Sequence, residues 1–346
     1  MDEAAHAFGV FFRVHFGVPQ PAVGASKARG RHLHWGSTGR ADIPQPAAVV
    51  TLPDRGSGLT EMWASAGGNG RRGVTISCRS ESRESTKQNG MILPSPATIA
   101  SIYRYPVKGL SPESLPEVSL AVGRTLPADR AYAIENGPTG FDPAAPVWKA
   151  KTHYLMLMRN ERLAALRTHF DDATHTLSIA ADGAELARGD LRTAEGRAAI
   201  EALFAARFAD ELRGPPKLLD GAGYSFSDVP MKVVSIINLA SVAEIEKMTG
   251  CTVDPLRFRA NLYVEGWPAW AELDMIGQTL AIGDARLKIV KRTVRCAATN
   301  VDPQTAARDM KIPETLQRQL GHADCGVYAE VIEGGRIAKG DAVGVA

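Results

Sequence analysis

The sequence predicts a β-rich α+β protein whose strands pack in barrel-like fashion rather than as a doubly wound sheet. Three observations carry this. From residue 97 onward, short runs with apolar residues at alternate positions recur between Gly- and Pro-containing turns. Segments with helical spacing are few and short. Neither a β-α-β rhythm nor a Gly-rich phosphate loop is written anywhere. At 346 residues the chain is long enough for two cores.

Taken in order, residues 1–90 carry 13 of the 33 glycines and no sustained period, so they read as a disordered leader or a mis-assigned start, with Met91 as the real first residue. Residues 98–105 alternate like a strand and stop at Pro106. Further strands are expected at 118–122 and 130–135, separated by Gly109, Pro112, Pro116, Gly123 and Pro127. Residues 163–168 and 176–180 pair as a hairpin across Asp171 and Asp172. Residues 194–208 form a helix with Ile200, Leu203, Phe204 and Phe208 on one side. A second unit opens near Met231, giving domains at 97–225 and 226–346. It holds a strand at 232–237 and a helix at 238–248 with a Ser241/Glu244 capping box and a Gly250 stop. Strands follow at 261–264, 279–282 and 286–294, then a helix at 314–320 ended by Gly321 and a strand at 327–332.

Composition excludes several classes. A formal charge of +2 gives no reason to expect nucleic acid or an anionic membrane. Residues 97–346 are close to neutral, because 1–90 hold 11 Lys/Arg against 7 Asp/Glu. Four scattered cysteines without a C-x-x-C pair make neither a disulfide scaffold nor a zinc or iron–sulfur site, and they fit a reducing cytoplasm. No apolar run reaches the roughly 20 residues of a membrane span.

The chemistry concentrates in residues 291–303, KRTVRCAATNVDP. Val290, Arg292 and Val294 alternate with Lys291, Thr293 and Arg295, and the strand then delivers Cys296. Nearby Arg295, Arg292 and Lys291 favour a thiolate, the form that attacks electrophiles or binds soft metals. A buried packing cysteine is the alternative.

Six motifs in order resemble the MOSC family, named after the C-terminal domain of molybdenum-cofactor sulfurases, with its N-terminal β-barrel partner domain. They are YPVKG and ADRAYAI at 105–109 and 128–134, RFRAN at 257–261, VRCAATNVDPQT at 294–305, CGVY at 325–328 and GGRIAKGDAV at 334–343. In architecture the chain resembles the amidoxime-reducing branch of that family. The resemblance implies a molybdopterin cofactor between the two domains, with Cys296 as metal ligand and catalytic centre. It implies two-electron reduction of N-hydroxylated compounds to amines or amidines. Because the sequence ends at Ala346 with no ferredoxin domain, the electrons are expected from a separate ferredoxin- or cytochrome-type donor and its reductase.

The same resemblance makes Lys108, Arg130, Arg259, Asn261, Arg295 and Tyr328 cofactor-binding. A phosphate dianion calls for such cations, although each taken singly also fits a surface ion pair, and Tyr328 fits a core strand aromatic. Asp302 and His322 are the candidate proton donors, with turn-shaping and helix-capping as their alternatives. Gly109 after Lys108, Ala260, Ala306 and Cys325 depart from the family pattern and leave the substrate open. A cofactor carrier and a sulfur-transfer protein are the competing readings.

Overall fold

The computed structural model describes residues 97–221 and 223–346. The leader at 1–90 and the start at Met91 lie outside these residues.

The N-terminal half contributes β1 (Ala97–Arg104), β2 (Glu113–Leu115), β3 (Glu117–Leu120), β4 (Tyr132–Ile134), β5 (Arg167–Asp171), β6 (Thr176–Ala181), β7 (Ala184–Asp190), α1 (Ala194–Arg207) and β8 (Leu218–Asp220). The C-terminal half contributes β9 (Val234–Asn238), α2 (Leu239–Thr249), β10 (Leu262–Glu265), β11 (Thr279–Ile282), β12 (Ala285–Val294), α3 (Ile312–Leu320), β13 (Asp324–Glu333), β14 (Gly335–Ala338) and β15 (Ala342–Val345). Strands dominate and the α-helices are three among the described residues, as predicted.

Seven strands close a barrel in the order β10-β9-β13-β12-β11-β15-β1, with β1 returning to β10 and β2 added on β1. Neighbours are antiparallel except β9 and β10, which run parallel and therefore need a crossover. Helix α2 is that crossover. The barrel is filled by side chains such as Ile99, Ile102, Ile236, Leu262, Leu287 and Val327. A second core lies under the N-terminal half, where Leu163, Phe170, Leu177, Ile179, Ile200 and Phe204 pack together. There β5, β6 and β7 form a meander with α1 against it. Gly189 and Gly196 let β7 and α1 touch backbone to backbone: a Cβ at Gly189 would lie 2.1 Å from the Gly196 carbonyl oxygen.

Several expectations need correcting. Strand β1, at the head of the N-terminal half, pairs not within that half alone but with β10 and β15, and so closes the barrel of the C-terminal strands. Its alternation fitted either domain, because only non-local pairing decides. The strand expected at 163–168 starts at Arg167, since residues Glu161–Ala165 form a 3-10 turn. The Ser241/Glu244 capping box does not form. Asn238 caps α2 by accepting from the Ala240 N–H, while buried Ser241 donates to the carboxylate of Glu272. The αL stop at Gly250 does form, at φ 69°. At the end of β12 two register shifts put polar Thr293 and Arg295 inside and leave Val294 67% exposed.

Candidate active site

A pocket of about 240 Å³ is lined by residues of both halves. Its first wall is the turn after β1. The position of Gly109, at φ 85°, suits glycine, since a Cβ there would lie 3.0 Å from the Leu155 carbonyl oxygen. The Lys108 N–H donates to Tyr132 O, which sets the side chain inward. Lys108 Nζ donates to Phe226 O at 2.8 Å and pairs with Asp228.

Two arginines form the next wall, and both hold left-handed backbone, Arg130 at φ 53° and Arg259 at φ 51°. Arg130 donates to Asp129 at 2.5 Å and to the Arg259 carbonyl at 2.9 Å. Arg259 donates through one terminal nitrogen to Leu110 O at 2.7 Å, while its other, Nη2, is buried without a partner. Burial pushes the Arg259 guanidinium down to about 10, with Tyr105 opposing this and Arg130 adding to it. A buried cation with a spare donor is a site that stabilises an anion.

The third wall is the end of β12. Arg295 donates to Cys325 O at 2.6 Å and Phe258 O at 2.8 Å, and its Nη2 is again buried and unpartnered. Thr293 Oγ1 is a third orphan lining the same pocket. Gly326, at φ 77° in β13, leaves room for this guanidinium, since a Cβ there would lie 2.8 Å from Nη2. Cys296 follows, half-buried, and opens a short 3-10 turn, Ala297–Asn300. Beyond it Val301 anchors in the N-terminal core.

The cation that meets the cysteine is none of those expected from the sequence. Lys151, from the 3-10 turn Lys151–His153, donates to Cys296 Sγ at 3.1 Å and lies 3.4 Å from Asp228. Burial works against the Lys151 charge, but Asp228 and Cys296 outweigh it and raise its pKa. Burial likewise works against the Asp228 carboxylate, yet Lys108 and Lys151 hold it well below the usual carboxylate range. Sequence reading missed both residues. The only local signal was the pair Lys149 and Lys151 in a Pro-rich stretch, and Asp228 in a linker had none.

The structure brings Lys108, Arg130, Arg259, Asn261, Arg295, Cys296 and Tyr328 to one pocket. Asn261 serves the framework too: its oxygen accepts from Ser235 N and Oγ, and its amide donates to Tyr103 O. Burial raises the Tyr328 hydroxyl. Asp302 is not among the residues that line the pocket. Its carboxylate accepts from Gln304 N, Thr305 N and Thr305 Oγ1 and pairs with Arg257 at 2.9 Å. Burial alone would raise it, but the Thr305 and Gln304 amides and Arg257 lower it, and the same contacts brace the loop. His322 accepts from the Asp324 N–H and is not part of the pocket lining. Arg257, first of the RFRAN motif, pairs with Asp302 and Asp309 and so ties the Cys296 loop down.

The family comparisons agree with this architecture. Residues 96–210 match the MOSC N-terminal beta barrel domain, and residues 223–344 match the MOSC domain. Mitochondrial amidoxime-reducing component 1 of Homo sapiens is 34% identical over 98 residues, 28% of each chain. The Mus musculus protein of that name is 36% identical over 83 residues, 24% of each chain. The chain thus aligns with less than a third of these relatives' length. Among solved structures, the YUAD protein from Bacillus subtilis is 12% identical with a TM-score of 0.35, covering 71% of this chain and 93% of that one. YiiM from Geobacillus stearothermophilus is 18% identical with a TM-score of 0.27, covering 33% and 53%. With the N-terminal barrel domain and the MOSC domain in tandem, each matched along its own segment, the chain belongs to the MOSC-domain family.

Proposed function

We propose that the pocket binds the molybdenum cofactor and that the protein reduces N-hydroxylated compounds, hydroxylamines and amidoximes, to amines and amidines. One observation supports this above the rest: buried, unpartnered donors on Arg259 and Arg295 stand in one pocket with the half-buried thiol of Cys296. The donor set fits the group. Guanidinium and ammonium groups suit a terminal phosphate, and one soft protein sulfur suits a metal already bound by the two sulfurs of the pterin. Among the described residues no cluster of three or more His, Cys, Asp or Glu could hold a metal by itself, which matches a single protein ligand.

Each residue then has a task. Cys296 would ligate the metal through Sγ, and Lys151 steadies that sulfur by its hydrogen bond. Lys108, Arg130 and Arg259 would take the phosphate. Asp228 keeps the two lysines from repelling each other. When bound, the cofactor supplies the two-electron chemistry by which R–NHOH, two electrons and two protons give R–NH2 and water. A separate ferredoxin- or cytochrome-type protein with its reductase delivers the electrons in this reading.

The test has two stages. Protein purified from a host that makes molybdopterin should contain about one molybdenum per chain and the pterin's absorbance. Benzamidoxime with reduced methyl viologen should then yield benzamidine. Absence of molybdenum ends the reading, and molybdenum without turnover replaces the enzyme by a cofactor carrier.

A further inference from the structure

We propose that Tyr105 is the aromatic support of the arginine pair: its buried ring holds the Arg130 and Arg259 guanidinium groups in place by cation–π contact before any anion arrives. This rests on the reading that the pocket takes an anionic group. Tyr105 is fully buried, and its ring centroid lies 4.8 Å from the Arg130 guanidinium carbon and 4.3 Å from that of Arg259. Both distances are well inside the range at which a ring's negative face attracts a cation.

The need for such a support follows from the charges. Two guanidinium groups sharing one ring repel each other. Asp129 offsets only Arg130, because its second oxygen accepts from the Tyr105 N–H. Among the described residues Arg259 makes no ion pair, so its desolvated charge leans on the Leu110 carbonyl and the Tyr105 ring. Both arginines also occupy left-handed backbone, which for a long side chain persists only where surroundings hold it.

The ring itself is fixed. The Arg130 N–H donates to Tyr105 O at 2.7 Å. The Tyr105 hydroxyl contacts that of Tyr263 at 3.5 Å, and Tyr263 stacks edge-on against Tyr103 at 5.3 Å. The first residue of the YPVKG motif therefore acts through the arginines as a positioning residue, and it need not touch the anion.

The experiment keeps the ring's shape while removing its negative face. Tyr105→Phe in the full chain should bind inorganic phosphate, measured on cofactor-free protein by 31P NMR titration, within twofold of wild type. Difluoro- and then pentafluorophenylalanine at position 105 should weaken binding stepwise, fivefold or more in total, while a single cooperative melting transition is retained. Arg259→Ala should remove most of the binding. Molybdenum per chain, measured on protein from a molybdopterin-making host, should fall in the same order as the fluorinated rings. A flat fluorine series, a wild type that binds no phosphate, or a folded Tyr105→Leu that binds it normally would overturn the inference. Graded phosphate binding without molybdenum in the wild type would uphold it while ending the cofactor reading; molybdenum in the wild type with a flat series would do the reverse.

Discussion

Cys296, Cys325 and Cys251 give one chain three different thiols, and their surroundings predict three behaviours. Replacing Cys296 by serine offers a hard oxygen in place of a soft sulfur. Losing a partner that merely orients a metal ligand costs about 10–100-fold, so Cys296→Ser should cost amidoxime reduction at least as much while the melting temperature stays put. X-ray absorption should count one sulfur fewer at molybdenum. Lys151→Met, which removes the Sγ hydrogen bond and half the Asp228 pairing, should lower turnover by about 10-fold with the fold intact. Cys325 is buried, and burial pushes its thiol up to about 12. Iodoacetamide at pH 8 followed by mass spectrometry should label exposed Cys251 and spare Cys325 until the protein is unfolded. The sign of the linkage is fixed as well: the stability that Cys325 contributes is whole below an unfolded thiol value of about 8.5 and fades as pH climbs towards about 12. Cys325→Ala should flatten part of the alkaline fall in melting temperature. At this scale the motif residues were legible because each sits in a short run of fixed spacing. Lys151 and Asp228 were not, since they reach Cys296 and Lys108 across 145 and 120 residues with no local pattern to betray it.

Elements were read well where side chains alone set them and poorly where the tertiary structure intervened. Strand β11 and the Gly250 and Gly321 helix ends follow from periodicity and backbone freedom. The start of α2 did not, because Ser241 faces a buried carboxylate instead of the helix end. Glu272 is fully buried, and it accepts from Ser241 Oγ, Asn238 Nδ2 and the Gly326 N–H. Asn238 therefore serves twice, capping α2 with its oxygen and feeding Glu272 with its amide. A lost cap costs about 1 kcal/mol, and a buried carboxylate deprived of a donor about 1–3 kcal/mol more. Asn238→Ala should then lower stability by about 2–4 kcal/mol in denaturant titration. Asn238→Asp keeps the cap acceptor but sets a second carboxylate against Glu272, so it should cost at least as much. Equal stability of wild type and Asn238→Asp would show that the amide contributes nothing.

For the molecule as a whole, the strand-rich class and the barrel were legible from alternation, but the partners of β1 were not, because pairing between β1 and strands far along the chain leaves no trace in local sequence. A fragment of residues 226–346 would expose the edges of β10 and β15 that β1 covers. It should aggregate or stay unfolded on its own, and adding residues 97–346 in one piece should restore a single cooperative transition. Among the described residues no helix is long and apolar enough to cross a membrane. The same strand has a consequence in time. Thr98 pairs with Glu265 and Ala97 with Val343, so the first stave of the barrel leaves the ribosome long before its last neighbour is made. At about 5–20 residues per second, β1 waits roughly 10–50 seconds for β15, with β2 alone at hand for the first part of that time. Barrel closure therefore waits until β15 has been made, and until β12 and β13 are in place the pocket has only some of its walls.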